Sequence, residues 1–120
     1  MPHLTLEYTD NLPKLNVAQT LLELNHILMA SGQFEEIDIK SRAILLDTFL
    51  VGTSPKNRAY AHVKLAMMSG RSSQIKRELS ESILLVLKQI WKATPDLHIQ
   101  LCIEVQDIDR EVYTKTIICV

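Results

Sequence analysis

What narrows the fold of this chain most is an order of elements that occurs twice. The sequence reads strand, helix, strand, then a loop, then strand, helix, strand again. The first and third extended runs lie about 58 residues apart, and the two helical runs are spaced about the same. No repeat of sequence accompanies this repeat of pattern. The first strand covers residues 1–8, and Asp10-Asn11 with Pro13 supplies turn and helix-start chemistry. A helix over about residues 15–31 follows, with Val17, Leu21, Leu24 and Leu28 recurring at helical spacing and Gly32 suited to a left-handed cap. The second strand is expected over about 37–49, a loop over 52–57 and the third strand over about 59–68. After Gly70-Arg71-Ser72-Ser73, where a serine hydroxyl is available as N-cap, a long helix over about 73–93 carries Ile75, Leu79, Ile83, Val86 and Ile90 on one stripe. Lys76 and Arg77 place positive charge in its first turn, against the helix dipole, which hints at an anionic neighbour. Pro95 stops that helix, a nearly continuous apolar strand covers about 98–105, and residues 116–120 read as a last edge strand.

Each half is therefore a βαβ unit, about 1–50 and 59–106, with parallel strands joined by a right-handed crossover and a C-terminal tail after the second. Side by side, the two units predict an α+β fold in a single domain of residues 1–120: a four-stranded sheet with both helices packed on one face. The other face is left bare. The Val, Ile and Leu of the strands predict that it avoids water by association with further copies.

Composition closes off several function classes. A formal net charge of −1 gives no electrostatic footprint for nucleic acid or an anionic membrane. No apolar run approaches the roughly 20 residues needed to span a bilayer, and the amino terminus lacks a secretory pattern. The expected location is cytoplasmic, and Cys102 and Cys119, in apolar contexts, are expected as buried free thiols. His3, His26, His62 and His98 are scattered without metal-ligand spacing, and no Gly-rich phosphate loop or nucleophile elbow is present. Neither metal nor cofactor is expected.

What the chain does offer is Pro2. Removal of an initiator methionine exposes a secondary amine on a rigid ring. An α-amine titrates near ~8. Apolar surroundings and nearby cations push it toward neutrality, where a general base works best. In an extended first strand Pro2, Leu4, Leu6 and Tyr8 share one face and His3, Thr5 and Glu7 the other, so Pro2 ends an apolar row. The plain alternative is that proline merely starts a strand where no N–H is required.

Further stretches tie Pro2 to a known pattern. Met1-Pro2-His3-Leu4 with Glu7-Tyr8, Ser31-Gly32-x-Phe34, Ile39-Lys40-Ser41-Arg42 with Asp47-Thr48, Tyr60-Ala61-x-Val63, Gly70-Arg71-Ser72, and Ile103-Glu104-Val105-Gln106 with Ile108-Asp109 occur in order over roughly residues 1–110. As an ordered set they resemble the 5-carboxymethyl-2-hydroxymuconate isomerases of the tautomerase superfamily. The resemblance implies a homotrimer of double-βαβ subunits and cofactor-free keto-enol tautomerisation by the amino-terminal proline. It implies as substrate an unsaturated hydroxy- or oxo-dicarboxylate of aromatic-compound breakdown. Lys40 stands where the family usually has arginine, and residues 112–120 lack the family's usual tail residues. The alternative is a catalytically drifted trimer that keeps the fold as an anion-binding or scaffold protein.

In this reading Pro2 is the catalytic acid and base. Lys40 and Arg42, at i and i+2 on one strand face, lie ~7 Å apart and suit the two ends of a small dicarboxylate. Arg71, ahead of a helix N-terminus, adds a bidentate fork. The competing reading makes Lys40 and Arg42 solvated charges pairing with Asp38 and Glu7. Phe49, Tyr8 and His62 are secondary candidates to line the site, each with core packing or a structural role as the alternative.

Overall fold

A computed structural model describes residues 1–92 and 94–119. Its elements are β1 (His3–Thr9), α1 (Val17–Ala30), β2 (Lys40–Leu46), β3 (Arg58–Met68), α2 (Ser73–Ile90) and β4 (His98–Ile108), with short 3-10 turns at Glu36–Asp38 and Arg110–Val112. The helix starts are set by side-chain caps, which satisfy N–H groups that have no partner within the helix. Asn16 Oδ1 accepts from the Gln19 N–H at 3.1 Å, and Ser72 Oγ accepts from the Ile75 N–H at 3.2 Å. After α1 the chain turns at Gly32, whose φ of 75° suits glycine.

The sheet order is β2-β1-β3-β4. β1 and β2 pair in parallel, as do β3 and β4, while the central pair β1 and β3 is antiparallel. Two parallel βαβ units thus meet edge to edge, as the doubled pattern requires. Leu4, Leu6, Ala61, Val63 and Leu65 of the central strands form one core with Leu24 and Leu28 of α1 and Ile83 and Leu87 of α2, all fully buried. Each such leucine or isoleucine contributes about 1.5–3 kcal/mol by leaving water.

Several expectations are corrected. The bare sheet face is polar rather than apolar. Strand alternation sends His3, Thr5 and Glu7 of β1 to the same side as Arg42 of β2, His62 and Lys64 of β3, and Glu104 of β4. Most Val, Ile and Leu residues of the strands instead point toward the helix layer, the only cover of the sheet among the described residues. Of the exposed large apolar side chains, Ile44 sits on this face at the β2 edge, opposite Glu7, while Leu50, Val112, Ile117 and Ile118 lie outside the strands.

The second strand is shorter than 37–49. Residues 36–38 form a turn, pairing begins at Lys40, and it ends where Asp10 N donates to Leu46 O as β1 turns away. β4 extends past 105 to Ile108, because β3 offers a partner all the way to Met68. Residues 116–119 form no strand, and residue 120 lies outside the described residues. α2 ends at Ile90, and the expected helix end at 93 falls on a residue outside the description. The cysteines are free but exposed, with Cys102 on the bare face of β4. Lys76 finds its anion within the fold, 3.2 Å from both oxygens of Asp107.

Candidate active site

The head of β1 gathers most of the residues singled out in the sequence. Pro2 is fully buried, at the end of the row formed by Leu4 and Leu6. Having no N–H, it leaves no buried donor unsatisfied, while its carbonyl accepts from the Lys40 N–H at 3.2 Å and opens the β1–β2 ladder. That bond sets the register in which His3 opposes Lys40 and Thr5 opposes Arg42. Lys40 Nζ donates to the Asp38 carbonyl at 2.7 Å and lies 3.3 Å from Met1 Sδ, so its ammonium stands over the chain start. Arg42 sits one pair further along the exposed face.

Arg71 is fixed by the turn after α1. Its Nη2 donates to the Gln33 carbonyl at 2.8 Å, its Nε to Gln33 Oε1 at 3.1 Å and its Nη1 to the Met68 carbonyl at 3.3 Å. Its guanidinium carbon lies 4.8 Å from the centroid of the Phe34 ring, a cation–π contact. A guanidinium has five N–H donors. Three are engaged here, which orients the group and leaves two for a ligand.

Four residues at this head are not marked by any periodicity in the sequence. Gln33 and Phe34 hold Arg71. From the tail, Lys115 Nζ reaches Asp38 Oδ1 at 2.6 Å, and the Tyr113 hydroxyl hydrogen-bonds His3 Nε2 at 2.8 Å. The Ser31-Gly32-x-Phe34 stretch marks Phe34 only through resemblance, and nothing periodic marks the tail.

The electrostatics follow from this packing. Burial holds the Met1 α-amine below its usual value; Asp38 opposes that shift, and the charges of Arg71, Lys40 and Lys115 add to it. His3 is lowered likewise, first by burial and then by Lys40, Arg42, the chain terminus and Lys115. Asp38 is held below the usual carboxylate range chiefly by the hydrogen bond from Lys115. Three side-chain cations and an amine thus face one carboxylate, an arrangement that attracts an anion and favours the neutral form of the amine.

The structure therefore brings Pro2, Lys40 and Arg71 together, with Arg42 acting on neighbouring His3. It separates them from the secondary candidates. Phe49 packs edge-on against Tyr60, centroids 6.4 Å apart, and Tyr8 against Trp91 at 6.2 Å; both sit toward the far end of β1. His62 is held between Glu104 Oε1 at 2.7 Å and Glu7 Oε1 at 3.8 Å on the bare face. Asp38 pairs with Lys115, and Glu7 faces His62, so neither is the ion-pair partner that the competing reading gave to Lys40 and Arg42. Among the described residues no group of three His, Cys, Asp or Glu side chains is placed to hold a metal ion.

Two βαβ units sharing one four-stranded sheet, with a buried proline heading a central strand among cations, define a protein of the tautomerase-like α+β class. Its match to the 5-carboxymethyl-2-hydroxymuconate isomerase family spans residues 2–117, and the chain belongs to that family. It is 31% identical to a 5-carboxymethyl-2-hydroxymuconate isomerase from Deinococcus radiodurans R1, whose crystal structure superposes with a TM-score of 0.87 over 96% of this chain and 88% of that one. The Escherichia coli 5-carboxymethyl-2-hydroxymuconate Delta-isomerase is 27% identical over 94 residues, 78% of this chain and 75% of its own. A fused 4-OT symmetric trimer shares the fold at 14% identity, with a TM-score of 0.69 over 91% of this chain and 87% of that one.

Proposed function

We propose that this isomerase is a cofactor-free keto-enol tautomerase acting on an unsaturated hydroxy- or oxo-dicarboxylate like 5-carboxymethyl-2-hydroxymuconate. The observation that carries this reading is the fully buried Pro2 at the head of β1, with the Lys40 ammonium over the chain start and the charges of Arg71 and Lys115 acting on it. Removal of Met1 puts the Pro2 nitrogen at the chain start in these same surroundings, as a secondary amine with a basic lone pair.

The reaction moves one proton along a conjugated system. The Pro2 amine takes the proton from the dienol, electron density shifts along the conjugated carbons, and the prolinium returns the proton to a carbon further along. Net composition is unchanged, and one nitrogen serves as base and then acid. The intermediate dienolate and the substrate carboxylates are anionic. Arg71, with two free donors, suits one carboxylate, and Lys40 and Arg42 suit the dienolate and the other carboxylate. The family resemblance and the trimeric fold neighbour support a homotrimer, and a substrate of this class would belong to the breakdown of aromatic compounds, in the cytoplasm on this reading.

The test compares two preparations of defined mass, one beginning at Pro2 and one retaining Met1. The processed enzyme should isomerise 5-carboxymethyl-2-hydroxymuconate, followed by ultraviolet absorbance. Its kcat/KM should rise with pH along a limb lying below the ~8 of an ordinary α-amine. The methionine-capped enzyme, whose Pro2 nitrogen is an amide, should lose about two to four orders of magnitude, the usual worth of a general base. Equal rates from both preparations would remove Pro2 from the chemistry.

A further inference from the structure

The doubled fold has a second head, and it too is cationic. β1 and β2 start at residues 3 and 40, β3 and β4 at 58 and 98. In each half the first residues of the two parallel strands are partners: His3 opposes Lys40, and Arg58 opposes His98. β1 and β3 run antiparallel with His3 opposite Ala66, so the two heads lie at opposite ends of the sheet. The rise of the eight strand steps from Ala66 to Arg58 separates them by roughly 26 Å.

At the β3 head a cavity of about 490 Å³ is lined by residues that include Gly52, Ser54, Lys56, Arg58, His98 and Gln100. Its size falls in the range of small-ligand sites, about 300–1,000 Å³. The frame is knit by backbone contacts. Val51 and Ser54 form an isolated bridge, and the Arg58 Nη1 donates to the Val51 carbonyl at 3.1 Å. The His98 N–H donates to the Asn57 carbonyl at 3.0 Å. Gly52, at a φ of 61°, brings backbone so close that a Cβ there would stand 2.9 Å from Arg58 Nη1.

The Arg58 guanidinium is thus oriented through one N–H, with four others unengaged among the described residues. No ion pair among the described residues involves Lys56, Arg58 or His98. Basic side chains left without carboxylates around a preformed cavity, beside the hydroxyl of Ser54 and the amide of Gln100, have the donor set of an oxyanion site.

We infer that the head of β3 is a second anion-binding site, taking a small carboxylate or phosphate, with Arg58 as the fork, Lys56 as a flanking charge and His98 as a flanking ring donor. The chain is continuous here, so no terminal amine is present and the site binds without transferring a proton. Its existence does not depend on the chemistry assigned to Pro2.

The test is a backbone-amide NMR titration of the assembled protein with malonate and, separately, inorganic phosphate. Shifts should concentrate at Gly52, Asn57 and Gln100. Lys56→Gln and His98→Gln, two exposed side chains whose loss spares the core, should each weaken binding about tenfold. Arg71→Gln should leave it unchanged. Tighter binding of malonate identifies a carboxylate ligand, and tighter binding of phosphate a phosphorylated one. The inference is overturned if neither anion shifts these amides at about 50 mM, if both glutamine variants bind like the parent, or if Arg71→Gln abolishes the shifts.

Discussion

Arg71 and Lys115 reach the head of β1 in different ways, and their removal should separate binding from tuning. Arg71 is held by three acceptors and keeps two donors free. Arg71→Ala should therefore raise KM by the worth of a desolvated charge contact, about 2–5 kcal/mol. Lys115 spends its ammonium on Asp38. Lys115→Ala removes a charge that lowers the terminal amine and frees the carboxylate that raises it. Both changes push the amine the same way, so the rising limb of kcat/KM should move to higher pH with little change in KM above it. An unmoved limb would show that Lys115 serves only to pin the tail. Pro2, Lys40, Arg42 and Arg71 can be singled out in the sequence because each lies on or beside a strand or helix end, in stretches that resemble the family; the roles given to them stay a proposal. Gln33 meets Arg71 across 38 residues, Lys115 meets Asp38 across 77 and Tyr113 meets His3 across 110. Such partners depend on the path of an aperiodic tail and a turn, which no local pattern encodes.

At the scale of elements, α2 carries one wall of the core on a narrow stripe. Leu79, Ile83 and Leu87 are buried, whereas Leu85 is 60% exposed. Ile83→Ala should cost about 2–5 kcal/mol in urea unfolding, because the fixed sheet on one side and α1 on the other cannot close the cavity. Leu85→Ala should stay within about 0.5 kcal/mol. Equal effects would mean that the stripe is misplaced. Helical spacing marks this stripe, alternation and one nearly continuous apolar run mark the four strands, and the βαβ order implies the parallel pairing within each half. Counting Val, Ile and Leu along a strand does not say which face they occupy; pairing His3, Thr5 and Glu7 of β1 with Lys64 and His62 of β3 does, and it makes the uncovered face polar. Strand ends were missed where a neighbour decides them: β2 stops with its partner β1, and β4 runs on with β3.

The shape of the whole subunit bears on how it assembles. Its radius of gyration is 15.6 Å, against roughly 13.6 Å for a self-contained domain of this length. One sheet face lacks a second layer, and both β2 and β4 are open edges. An open edge with apolar neighbours favours pairing with another chain. Ile44 on β2, Leu50 after it, and Ile117 and Ile118 in the tail are 43%, 59%, 70% and 89% exposed. The proposed trimer is then held by strand edges and tails, while the polar centre of the bare face already satisfies itself within the subunit, with His62 between Glu7 and Glu104. Sedimentation equilibrium at micromolar concentration should give three times the 13.7 kDa chain mass. Ile44→Lys places a charge on the β2 edge without touching the core and should shift the population toward monomer, with the far-ultraviolet circular dichroism retained. A parent protein that sediments as a stable monomer would overturn the assembly. A trimer unmoved by Ile44→Lys would instead place the contact away from β2, with the tail residues Ile117 and Ile118 the next to change.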